Sequence, residues 1–189
     1  MYSALTREYG NKKEVVQHFY HKDTSVPIWA IFEVLTLGEF GNFYSCLSYG
    51  VRREVSIKLG FHQPSDSDAF LTKKIIFAIK ELRNAVAHND VIFDTRFSRS
   101  SIDKSLSSSL EIVTGIKSIT FKSITDYIIL VVYLLKCFGV PKGDMRRFVA
   151  EFQDNIETLR KQIPTSLFAR IVLTDTRPKL KSLQEYIRK

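Results

Sequence analysis

The chain has 189 residues, 44% of them hydrophobic and 25% charged, with a net charge of +8 and a pI near 9.5. That length fits one domain over 1–189 with a sizeable core, and the basic balance favours a polyanionic partner. Eight Gly and five Pro argue against an all-β design full of tight turns.

Residues 1–13 are polar and are expected to be loosely held. The stretch from Met1 to Glu14 lacks the apolar core of a signal peptide. A short helix is predicted from Glu14 to Tyr20, with His18 and His21 at its surface; no acidic or cysteine partner stands at a convincing offset to make them metal ligands. Pro27 suits the first turn of the next helix. Ile28, Ile31, Phe32 and Leu35 form its apolar stripe, and Trp29 is assigned to the core. Glu33 reads either as an exposed turn residue or as a carboxylate that orients a basic partner. Gly38 and Gly41 are read as interruptions, with a second segment running to about Ser48.

A short basic helix follows from Val51 to Leu59, closed by Gly60. His62 falls in a loop, and Asp66 or Ser67 is placed to cap the helix after it. Leu71, Ile75, Ala78, Leu82 and Val86 then recur at helical steps. Asn89-Asp90 favours a turn, which puts His88 in the last helical turn. Val91-Ile92-Phe93 is expected to tuck against the bundle. Residues 98–109 hold seven serines in twelve positions and read as a loop. The pattern from about Ser118 to Phe138 is apolar over a wide face and predicts a central helix. Its longest apolar run, Tyr127 to Leu135, is nine residues, about half a membrane span.

Gly139-Val140-Pro141 ends that helix, and Pro141 opens the next, with Phe148, Phe152, Ile156 and Leu159 on one side. Pro164 stops it, a short helix is predicted over Ser166–Val172, and the tail from Pro178 is basic. Residues 142–189 carry 11 Lys or Arg against 6 Asp or Glu, which is +5 of the +8. Such a run reads equally as a solvated face or as a track for RNA. Cys46 and Cys137 lie far apart in apolar surroundings. They give neither a disulfide framework nor a metal spacing, and read as buried free thiols in a reducing cytoplasm.

One stretch groups residues able to do chemistry: Glu81 to Asp90, ELRNAVAHND, with Arg83, Asn84 and His88. An arginine offers a charged fork to phosphate oxygens. A histidine is the usual proton carrier near neutrality. RNA carries its own nucleophile, the 2′-hydroxyl, so such a site needs no metal and no cofactor. Five residues along an ideal helix turn through about 140°, so Arg83 and His88 do not share a face of a regular helix. Either the helix distorts near His88 or a second copy of the chain completes the site. By itself the spacing also suits a helix end with a surface arginine and a capping histidine.

Context adds to the spacing. The segment resembles the Arg-Asn-x-x-x-His motif of HEPN domains, and in particular the Abi-like (AbiD/AbiF) proteins of bacterial abortive infection. A second match lies upstream, in Val26-Pro27-Ile28-Trp29-Ala30 followed by Glu33-Val34-Leu35-Thr36-Leu37-Gly38, and Phe43-Tyr44 and the region of Phe61 are similar too. The likeness runs from about Gln17 to Phe97. One departure is Val91, where the family often has an arginine three residues after the motif histidine. The resemblance implies an all-α, HEPN-like helical bundle with additional short helices. It implies a homodimer whose two motifs face one cleft, and a metal-independent endoribonuclease in which Arg83, Asn84 and His88 are catalytic. It further implies RNA as partner and substrate, a toxin-type role in phage defence restrained by an RNA or protein antidote, and a cytoplasmic protein without membrane contact. Some HEPN domains are silent scaffolds, so a module that binds RNA or a protein partner without catalysis is the alternative.

Overall fold

The computed structural model describes residues 2–61, 63–88 and 102–189, which form eleven helices and no strand. The chain is all-α, as its periodicity requires. The first five helices are short: α1 (Tyr2–Gly10), α2 (Glu14–His21), α3 (Ile28–Val34), α4 (Leu37–Ser45) and α5 (Tyr49–Lys58). The long α6 (Leu71–Ala87) carries the motif. Then come α7 (Lys104–Thr114), α8 (Ile124–Cys137), α9 (Lys142–Gln162), α10 (Thr165–Ile171) and α11 (Thr176–Arg188).

The hub is α8, expected from its wide apolar face. Tyr127, Ile129, Leu130 and Val132 are all fully enclosed, and α6, α7, α9 and α11 pack around it. Leu71, Ile75, Ala78 and Ala85 of α6 belong to the same core, as do Leu106 and Leu110 of α7 and Leu180, Leu183 and Ile187 of α11. Burying one such side chain is worth about 1.5–3 kcal/mol, so this cluster fixes where α6 lies and hence where its C-terminal end points.

Several elements depart from the periodicity. The segment 1–13 is not loose throughout: α1 occupies most of it, with Ala4 fully buried. The tail beyond Pro178 is not merely basic but part of α11, whose Leu180, Leu183 and Ile187 recur at helical spacing between its charges. Of the serine-rich 98–109, residues 98–101 lie outside those described, whereas 104–109 are helical. Asp103 caps that helix by accepting from Ser105 N–H at 2.8 Å, and Ile102, Leu106 and Leu110 supply the apolar face that the serines obscured.

The central helix starts at Ile124 rather than Ser118. Asp126 explains the delay. Its Oδ2 accepts the backbone N–H of Thr120 (3.0 Å) and of Phe121 (2.9 Å), and Glu111 accepts that of Ile119 (2.9 Å). Ser118 and Phe121 have φ of 62° and 56°, which a right-handed helix excludes, and the two carboxylates satisfy the N–H groups of this non-helical approach while Ile119 and Phe121 still reach the core.

Gly38 and Gly41 do not interrupt a helix either; both lie inside α4. A Cβ on Gly41 would stand 2.7 Å from Phe77 Cε2 and one on Gly38 would stand 3.3 Å from Lys80 Cδ. The glycines let the α4 backbone approach α6 more closely than any side chain allows. Gly60 does act as expected, following α5 with a φ of +74°.

Two burial expectations fail. Trp29 is 53% exposed rather than core, because α3 buries Ala30, Ile31 and Val34 and turns Ile28, Trp29 and Phe32 outward. Cys46 is an exposed thiol rather than a buried one, donating weakly to the Asn42 carbonyl at 3.5 Å; Cys137 is partly buried, and burial pushes its thiol pKa up. Both are free. His62 and Val91-Ile92-Phe93 lie outside the described residues.

Candidate active site

The motif residues sit where α6 ends. Asp66 begins the helix, accepting the N–H of Phe70 and of Leu71 at 3.1 Å each; burial, then the neighbouring Asp68, lifts the Asp66 carboxyl above the ordinary range while those N–H groups oppose the rise. At the other end Ala87 is the last helical residue. His88 follows with φ −94° and ψ 9°, its N–H still donating to the Asn84 carbonyl at 3.0 Å. The helical path therefore stops at the motif histidine.

Arg83, Asn84 and His88 all line one cavity of about 760 Å³ at this end of α6. Lys80, one turn before Asn84, lines it as well. Across from them stands the junction of α3 and α4, with Phe32, Leu35, Thr36, Leu37, Gly38 and Phe40. Arg83 and His88 are exposed, and Asn84 is half-buried. The Arg83 Nη1 donates to Asn84 Oδ1 at 3.1 Å, so the asparagine orients the guanidinium. Among the described residues no carboxylate lies within ion-pairing distance of Arg83. Lys80 pairs with Glu81 at 2.9 Å and lies 5.4 Å from the centre of the Phe77 ring.

The opposite wall is built as carefully. Thr36 and Glu39 form a reciprocal cap: the threonine hydroxyl accepts Glu39 N–H at 3.2 Å and the Glu39 carboxylate accepts Thr36 N–H at 2.8 Å. Arg7 of α1 grips the same carboxylate with two bonds, 2.8 and 3.1 Å, and donates to the Val34 carbonyl at 3.2 Å. These hydrogen bonds, from Arg7 first and the Thr36 N–H second, hold the Glu39 carboxyl at about 2 and raise the Arg7 guanidinium above its usual value. One guanidinium thus ties α1, the end of α3 and the start of α4 together behind the cavity wall.

Sequence reasoning found Arg83, Asn84 and His88 and missed this wall. The Thr-x-x-Glu pattern at 36–39 is a helix-start signature and was open to being read. No local pattern announces Lys80 or Phe32 as cavity residues. Glu33, the other carboxylate considered for the site, is exposed and is not among the residues lining it. His18 and His21 are exposed, and among the described residues no group of His, Cys, Asp and Glu is arranged to hold a metal ion. No described helix is long and apolar enough to cross a membrane.

The family model for Abi-like proteins matches residues 1–94, which takes in α1 to α6 and the whole Arg83–His88 motif, and the chain belongs to this abortive-infection family. No curated protein and no solved structure matches the chain significantly.

Proposed function

We propose that this protein is a metal-independent endoribonuclease of HEPN type that acts in abortive infection. The observation that carries the reading is the shared cavity of Arg83, Asn84 and His88 at the end of α6. Arg83 holds a non-bridging oxygen of the scissile phosphate and stabilises the charge that builds on it. Asn84 sets the direction of that guanidinium. His88 moves the proton. A base takes the 2′ proton, O2′ attacks phosphorus, the P–O5′ bond breaks, and O5′ leaves with a proton from an acid. The products are a 2′,3′-cyclic phosphate and a 5′-hydroxyl. One imidazole cannot be base and acid in the same instant, and a homodimer that brings two His88 residues to one cleft supplies both. In the cell such a nuclease is a toxin, held off by an RNA or protein antidote until infection.

The test is cleavage of a mixed single-stranded RNA in EDTA by wild type and by His88→Ala at matched oligomeric state. The expected result is cyclic-phosphate ends from wild type and loss of cleavage by about 10²-fold or more in the variant. Equal cleavage by both, or loss of wild-type activity in EDTA, overturns the reading. Binding without turnover by either protein would make this a silent RNA-binding module.

A further inference from the structure

The wall facing Arg83 holds an aromatic side chain that the core does not use. Phe32 lines the same cavity as Arg83 and His88 and is 42% exposed. Its ring stands nearly perpendicular to Phe40 (6.0 Å, 77°) and to Phe43 (5.4 Å, 74°). Those two rings fix its orientation, and neither stacks on it face to face. An exposed apolar ring costs hydration free energy, and α3 already buries its other face through Ala30, Ile31 and Val34. A rigid aromatic opposite a guanidinium across one cavity pairs the two groups that a single-stranded nucleotide needs: a cation for its phosphate and a flat surface for its base.

We infer that Phe32 is a base-stacking platform for the nucleotide beside the phosphate held at Arg83, which makes the site selective for unpaired RNA. The inference rests on the ribonuclease reading and adds its substrate class. A base inside a duplex is already stacked on both faces and cannot lie on Phe32. A base in a loop or single strand can. Phe32 does not act on the reacting atoms; it decides which strands are held with a phosphate in place.

The test measures binding apart from chemistry. The full-length protein is titrated with a short fluorescent RNA made uncleavable by 2′-deoxy sugars, and with the same strand lacking its bases. Wild type, Phe32→Ala and Phe32→Tyr are compared by anisotropy, with thermal unfolding as the control for folding and size-exclusion with light scattering for oligomeric state. The expected result is a Kd for the intact strand about 5- to 150-fold weaker in Phe32→Ala and close to wild type in Phe32→Tyr. On the baseless strand the three proteins bind alike. Equal weakening on both strands, or none on either, overturns the inference; so does a Phe32→Ala protein that binds poorly because it has lost a dimer. A wild type that stacks RNA on Phe32 yet never cleaves the all-ribose strand keeps the platform and loses the nuclease. A wild type that cleaves while Phe32→Ala binds normally keeps the nuclease and loses the platform.

Discussion

Lys179→Met is expected to destabilise the protein by about 3–5 kcal/mol, far more than a surface charge is worth. The Lys179 ammonium lies 2.7 Å from Asp126 Oδ1 and 2.7 Å from Asp175 Oδ2, on side chains 4%, 0% and 41% exposed respectively. Methionine fills a similar volume, so packing changes little and the effect is electrostatic. Asp175 can rehydrate when the ammonium goes, but Asp126 cannot. Its second oxygen keeps the Thr120 and Phe121 N–H groups, yet the charge on Oδ1 is left enclosed without a cation. At about 2–4 °C of Tm per kcal/mol for a chain of this size, the midpoint falls by roughly 6–20 °C. Thermal and urea unfolding of the single variants and of Lys179→Met with Asp126→Asn give the coupling between the two groups. The pH profile adds a second check. Burial pushes the Lys179 ammonium down, but its bonds to Asp126 and Asp175 prevail and raise it. A raised lysine stabilises fully below its unfolded value, about 10.4, and the contribution is lost as pH climbs through the folded value above that. The alkaline decline should therefore be steeper in wild type than in the variant. A loss below about 1 kcal/mol, the size of an exposed pair, would refute the claim that Asp126 is stranded.

Two further outcomes follow from the wall of the cavity. Glu39→Gln should lower Tm near neutrality, and the gap to wild type should close as pH falls from about 4.3 towards 2, because a carboxyl depressed to about 2 stabilises above its unfolded value and ceases to as it protonates; a gap independent of pH over that window would mean that the Arg7 pairing contributes nothing. Gly41→Ala should destabilise by about 1–3 kcal/mol through its overlap with Phe77, even though alanine is the better helix former, and Phe77→Leu in the same chain should recover most of the loss; no recovery would place the cost elsewhere.

How far the sequence could be read depends on what each residue was answering to. Where burial and period agreed, as in Leu71, Ile75 and Ala78 of α6 or the apolar run of α8, the helix was legible because one stripe serves both helix and core. The starts and ends were legible where the chemistry was local: Gly60 after α5, Pro164 between α9 and α10, and Asp66 before α6. Asp126 was not legible, since nothing in a local window shows that an aspartate in the first turn of a helix will reach back to Thr120 and Phe121 and forward to Lys179, 53 residues away. Trp29 and Phe32 misled for a different reason. Periodicity marks a helix as two-faced but does not say which apolar residues the core has room for, and α3 is short enough that Ala30, Ile31 and Val34 satisfy it. Gly38 and Gly41 look like breaks in the sequence because a local window does not display a close neighbour. Their meaning lies in Phe77 and Lys80 on another helix.

The same distinction bears on what a second copy of the chain would do. Arg83 and His88 are five residues apart, and from the sequence a dimer was one of two ways to bring them together. In the structure α6 ends at Ala87, His88 follows as its cap with its N–H on the Asn84 carbonyl, and Arg83 and His88 line one cavity of a single chain. A partner's task in the proposed reaction is to provide a second imidazole so that one proton is removed as another is delivered. A monomer holding an intact cavity should then bind RNA through Arg83 and Phe32 yet turn it over slowly, and binding and cleavage should part company as the protein is diluted.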